Sequence, residues 1–189
     1  QPEMINTAKG LTSGYMPLGA LILSDRIWNT MAEGGQRGFT TGFTYSGHPV
    51  GSAVALANID LIEREGMVEN TAALAPRFAT ALRDRLGDNP FIGDIRSVGL
   101  MAGVEFVADR AKRTAFPVGT APHRIVARHA TEAGVLTRAL PFLPVNSFSP
   151  PLSITAAEID EAMDRYAAAV VSAMSLTSLS SRLSTPDTG

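Results

Sequence analysis

The stretch NTAKGLTSGYMPLGALILS, residues 6–24, places Lys9 between Ala8 and Gly10, in a chain whose other lysine is Lys112. Taken alone, a lysine here is a solvated loop residue, since lysine is mostly exposed. Its setting points elsewhere. Small neighbours on both sides leave room for a flat ring system at the ε-nitrogen. A partly buried amine is also pushed toward its neutral, nucleophilic form, which condensation with an aldehyde requires. Downstream, LGALILS (18–24) is a short apolar run bounded by glycine and polar residues. It predicts a buried strand leading into a short helix around Asp25 to Met31.

The segment AEGGQRGFTTGFTYSGHP, residues 32–49, is punctuated by Gly34, Gly35, Gly38, Gly42 and Gly47, which predicts a loop of special backbone conformation. Its end, GFTYSGHP (42–49), offers hydroxyls and backbone N–H groups at the start of a helix, the usual means of gripping a phosphate. The same residues also suit an ordinary helix N-terminus, with Ser46 as cap and Pro49 in the first turn. From Pro49 to Glu65 the apolar residues Val54, Ala57, Ile59, Leu61 and Ile62 spread around most of a helix, which predicts a largely buried one.

Met67 to Leu86 predicts a second helix, with Leu74, Phe78, Leu82 and Leu86 on one face, and Pro76 as a kink or true first turn. GDIRSVGLMAGVEFVAD (93–109) reads as strand interrupted at Gly99 and Gly103. A helix near Pro122 to Ala133 and a short strand GVLTRAL (134–140) follow. SFSPPLSIT (147–155) reads as an edge strand, because its prolines cannot donate to a ladder. Thr155 and Glu158 form a capping box for a last helix with the apolar stripe Ile159, Met163, Tyr166 and Val170. The interleaved strands and helices of this second half predict a compact α+β unit.

Apolar residues make up 45% and charged residues 18% of the 189, with a net charge of -2, so composition gives no reason to expect nucleic acid or an anionic membrane as partner. No apolar run is long enough to span a bilayer. Cysteine is absent, which excludes disulfides and thiolate metal sites and is compatible with a reducing cytoplasm. His48 sits at a helix start and reads as a structural hydrogen-bonding residue. His123 and His129 are six apart, the wrong spacing for a metal grip on a helix, so no metal is expected. Glu158, Asp160, Glu161 and Asp164 read as first-turn charges and a solvated face. The opening Gln1-Pro2-Glu3 suggests a piece of a longer protein, and the Ser/Thr-rich residues 175–189 suggest a disordered tail.

Five segments in order, AKGLTSGYMPLGA, GFTYSGHPVGSAVALANIDLIERE, IRSVGLMAGVEFV, AGVLTRAL and SPPLSITAAEIDEAM, closely resemble the class III (omega) aminotransferases, which use pyridoxal 5'-phosphate. The resemblance runs from about Pro2 to Val170. It implies the α/β architecture of the fold-type-I transferases, with residues 1–66 as the end of the large cofactor-binding domain and 67–174 as the small C-terminal domain. It also implies that Lys9 forms the imine with the cofactor and that Thr44 binds the cofactor phosphate of the neighbouring subunit in a homodimer. Arg138 would then pair with the carboxylate of an amino acid or keto acid, a role that suits its fork of donors. From the residues alone, a surface ion pair on an edge strand is the favoured reading of Arg138. The implied reaction moves an amino group from an amine or ω-amino acid to a keto acid such as pyruvate. The regions that in the family stack on the pyridine ring and pair with its nitrogen have no counterpart here, so the piece alone is expected to be inactive. An aminomutase or amino acid racemase of the same fold, or a truncated chain that only dimerises, are the alternatives.

Overall fold

The computed structural model describes residues 2–33 and 41–175, and the chain divides into two compact units, Gln1–Gly66 and Met67–Gly189. In the first, β1 (Met4–Ala8) pairs antiparallel with β2 (Gly19–Leu23), in a register running from Met4 opposite Leu23 to Ala8 opposite Gly19. A single 3-10 turn, Lys9–Thr12, leaves the end of β1. Two helices follow, α1 (Asp25–Glu33) and α2 (Pro49–Arg64). The glycines at 34, 35 and 38 lie outside the described residues, as does the tail from 176 onward.

Two expectations about this unit fail on burial. The strand expected to be buried is β2, yet Leu21 and Ile22 are more than half exposed, because a two-stranded ribbon has no second layer over it among the described residues. The expected buried helix is α2, but Leu56 and Ile59 are exposed. Only Gly51, Ala55 and Asn58 are buried, a spacing that puts them on one helix face. The unit's apolar groups mostly face outward.

The second unit has the packed core. It contains α3 (Met67–Leu86), β3 (Ile92–Val98), β4 (Met101–Phe106), α4 (Pro122–Glu132), β5 (Arg138–Ala139), β6 (Val145–Phe148) and α5 (Ala156–Met174). The strands form one antiparallel sheet in the order β3-β4-β6-β5. Period-two alternation along β4 buries Ala102, Val104 and Phe106 and turns Met101, Gly103 and Glu105 away. The buried face meets Phe78, Leu82 and Leu86 of α3, Val126 and Ala130 of α4, and Ile159, Met163, Tyr166 and Val170 of α5. The stripes expected on α3 and α5 are thus core. Helix α3 continues through Pro76.

The segment 93–109 is a hairpin: Gly99, at φ +58, reverses the chain between β3 and β4, whereas Gly103 lies inside β4, where a Cβ would touch Val145 Cγ1 at 3.4 Å. The expected edge strand at SFSPPLSIT is corrected. Its first residues end β6, an interior strand between β4 and β5, and Pro150-Pro151 stop the ladder there instead of continuing it along an edge. The capping box is present, with Thr155 Oγ1 accepting from the Glu158 N–H at 3.3 Å and Glu158 Oε2 accepting from the Thr155 N–H at 2.8 Å. Among the described residues, no helix is long and apolar enough to cross a membrane.

Candidate functional site

Lys9 opens the 3-10 turn at φ +53, and Ser13, which closes it, lies at φ +49. Two non-glycine residues in the left-handed region at the ends of one short turn cost about 1–2 kcal/mol each, so the surroundings must hold them there. The turn's own bonds are modest: the Ser13 N–H reaches Gly10 O at 3.3 Å and the Tyr15 N–H reaches Thr12 O at 3.0 Å. Side chains supply the rest. Buried Thr12 donates from Oγ1 to Met16 O at 2.6 Å. Asn58, on the buried face of α2, donates from Nδ2 to Gly10 O at 3.0 Å and Leu11 O at 3.2 Å, and accepts at Oδ1 from the Ser13 hydroxyl at 2.6 Å. The partial burial expected for Lys9 is not found: its side chain is exposed.

Thr44 is exposed in the turn that precedes α2. That turn is closed by the Ser46 N–H on Phe43 O at 2.9 Å, by the Phe43 N–H on Ser46 Oγ at 3.0 Å, and by the His48 N–H on Tyr45 O at 3.2 Å. Gly47, at φ +68, takes a conformation that a side chain would oppose. Ser46 is not the helix cap. His48 is, with Nδ1 accepting from the Gly51 N–H at 3.2 Å, so the structural role expected for this histidine holds. Among the described residues, the N–H groups of Thr44, Tyr45 and Gly47 meet no acceptor, and no carboxylate stands in the sequence from 41 to 48. A loop with free N–H groups, a hydroxyl and no acid suits an anion. No hydrogen bond among the described residues joins Lys9 to Thr44; both attach to α2, one through Asn58 and one through its first turn.

Arg138 belongs to the second unit. It is exposed on β5, the edge strand, where Ser147 of β6 lies opposite it. Its guanidinium forms no ion pair with a described residue, so the surface ion pair that the residues favour is not made. It stands at a cavity of about 480 Å³ lined by Phe78, Thr137, Phe148, Pro150, Ile154 and Met163, apolar walls with one free cation at the edge. Of the remaining histidines, His129 lies 3.2 Å from Ser172 Oγ through Nδ1. His123 is buried with neither ring nitrogen hydrogen-bonded, and burial lowers its pKa below the ordinary value, an effect the nearby Leu140 backbone opposes in part. No cluster of three or more His, Asp or Glu among the described residues could hold a metal.

The sequence signal for Asn58 is faint. An asparagine within the apolar helical run ALANIDL is a poor helix former. Such a residue in a helix interior asks what its amide bonds to.

The family model of the class-III aminotransferases matches residues 1–170. A diaminobutyrate–2-oxoglutarate transaminase of Halomonas elongata is 38% identical over 172 residues, 90% of this chain and 37% of that protein. A putrescine–pyruvate aminotransferase of Pseudomonas aeruginosa is 36% identical over 177 residues, 90% of this chain and 38% of that one. The PMP-bound aminotransferase of Vibrio fluvialis superposes with a TM-score of 0.86 at 35% identity, over 93% of this chain and 39% of that one. This chain belongs to the class-III aminotransferases, and its mixed α/β fold is that of the transaminases. It spans under two-fifths of the length of these relatives.

Proposed function

We propose that the chain is the C-terminal part of a pyridoxal 5'-phosphate-dependent transaminase that moves an amino group from an amine or ω-amino acid to a keto acid such as pyruvate. One observation carries this beyond family membership: Lys9 occupies a left-handed turn clamped from α2, where a lysine of no consequence would sit on a relaxed loop. The pyruvate named for the Pseudomonas relative supports the choice of acceptor.

The residues present fit the cofactor. Lys9 offers a primary amine, and the turn at Phe43–His48 offers a hydroxyl and free N–H groups without a carboxylate, which is what a phosphate takes. Pyridoxal phosphate, when bound, supplies an aldehyde that condenses with an amine, releasing water, and a ring that withdraws electrons from the carbon bearing that amine. With the cofactor held, the free amine of Lys9 would take the proton from the substrate carbon that bears the amino group, hold it at Nζ and give it up again, acting first as base and then as acid. Arg138 orients acidic substrates by a two-pronged grip on their carboxylate.

We further propose a homodimer in the cytoplasm, in which Thr44 of each subunit holds the phosphate of the other's cofactor. A dimer pairing a Thr44→Ala chain with a Lys9→Ala chain then keeps one complete site and about half the activity per dimer. Loss of all activity would show that Thr44 serves its own subunit. The reaction type is tested on the full-length protein with an amine, with and without pyruvate. Turnover should require the keto acid. Rearrangement or racemisation of an amino acid without added acceptor would place the enzyme among the isomerases instead.

A further inference from the structure

We propose that Asn58 is the positioning residue for Lys9: its amide fixes the turn that aims the lysine side chain. The proposal rests on the reading of Lys9 given above.

The turn cannot hold itself. Ala8, before it, is extended and makes no side-chain cap, while Lys9 and Ser13 both sit in the left-handed region. Thr12 ties the loop only to its own continuation at Met16. The sole side chain from another element that reaches the turn with hydrogen bonds, among the described residues, is Asn58, separated from it by more than forty positions. An asparagine amide has two N–H donors and an oxygen acceptor. Here both donor contacts land on consecutive carbonyls, those of Gly10 and Leu11, and the oxygen takes the Ser13 hydroxyl. These are the residues immediately after Lys9, so the amide sets the peptide planes from which the lysine's Cα–Cβ direction follows.

The neighbouring face of α2 is shaped for this contact. Gly51 and Ala55 are buried on the same side as Asn58, and a Cβ on Gly51 would already touch Leu18 Cδ1 at 3.4 Å. Small residues bring the loop close, and one polar residue grips it. Asn58 is 9% exposed and stands where leucine or alanine would favour the helix more, which fits a residue kept for its hydrogen bonds. Because α2 also begins at the Thr44 turn, one helix ties both the Lys9 turn and the Thr44 turn. Without the amide, Lys9 relaxes toward an ordinary φ and its amine swings away from where it must react.

The test uses the full-length protein, freed of cofactor, as wild type, Asn58→Leu and Ser13→Ala. Pyridoxal phosphate is added, and the rate of its covalent capture is followed by absorbance across pH. Borohydride trapping with peptide mapping locates the bond, and melting of the apoprotein reports fold. Asn58→Leu is expected to slow capture by roughly tenfold or more and to shift the pH midpoint of the bound chromophore, since small misplacements of reacting groups cost rates of that order. Ser13→Ala removes an exposed hydroxyl and one of the three bonds. It should slow capture about two- to fivefold, with melting lowered by no more than the loss of one part-buried hydrogen bond. Capture at the wild-type rate and midpoint in both variants, with only melting lowered in Asn58→Leu, would reduce Asn58 to a structural residue and overturn the proposal. Should Asn58→Leu fail to fold, Ser13→Ala decides, and wild-type kinetics there are fatal. If the wild type carries no label on Lys9, the reading of the site falls and this proposal with it. Equal labelling of Lys9 in all three at equal rates sinks the role of Asn58 alone.

Discussion

Replacing Arg138 by leucine separates substrate recognition from fold. The guanidinium is exposed, forms no ion pair with a described residue, and stands on an edge strand whose pairing with β6 uses backbone groups that leucine also has. Its loss should therefore change stability by less than about 0.5 kcal/mol. If it grips a substrate carboxylate, a charge-assisted bond worth about 1.5–3 kcal/mol disappears from the complexes of acids. That is roughly 10- to 150-fold in kcat/KM for pyruvate or an ω-amino acid. An aryl-alkyl amine without a carboxylate loses nothing in its own half-reaction, and the leucine side chain extends the apolar wall beside Phe148 and Pro150. The assay is the two half-reactions measured separately by stopped flow, with a denaturant melt as control. Equal losses for acidic and uncharged donors, or an unchanged rate with pyruvate, would refute the assignment of Arg138.

Two predictions concern the second unit. The Tyr166 hydroxyl donates to Asn146 Oδ1 at 3.0 Å, and Asn146, fully buried, donates in turn to His123 O at 2.8 Å. Tyr166→Phe leaves the amide oxygen without a donor and should cost about 1–3 kcal/mol in urea unfolding; a change below about 0.5 kcal/mol would show that another group satisfies it. Burial depresses the pKa of His123 below its ordinary 6.5, so folding favours the neutral ring. Its contribution is complete above pH 6.5 and is lost as pH falls below that value toward the depressed one. His123→Phe should therefore lose less stability than wild type between about pH 7 and about pH 5, as read from melts at each pH, and parallel curves would contradict this.

The second unit was the more legible in sequence because it closes its own core. The stripe Ile159, Met163, Tyr166 and Val170 could be read from spacing, since α5 really does face a sheet, and Thr155 and Glu158 meet because a capping box is a local device. The first unit misled because its apolar residues have no second layer over them among the described residues. The apolar residues of β2 and of α2 promise burial, yet Leu21, Ile22 and Leu56 lie open. Strand β1 went unread because MINTA is short and lacks a bounded apolar run. Pro150 and Pro151 suit an edge strand because they lack N–H donors, but proline also ends an interior strand, and topology decides between the two. Lys9, Thr44 and Arg138 each had a plain reading, and their order among family-like segments distinguished them. No local pattern announced Asn58, because its partners at Gly10, Leu11 and Ser13 are distant in sequence.

Borohydride reduction of the full-length enzyme in the presence of pyridoxal phosphate, followed by mass mapping of its peptides, bears most directly on the assignment. A single phosphopyridoxyl label is expected on Lys9, absent from the Lys9→Arg enzyme. A label on Lys112, or a labelled and active Lys9→Arg enzyme, would contradict it.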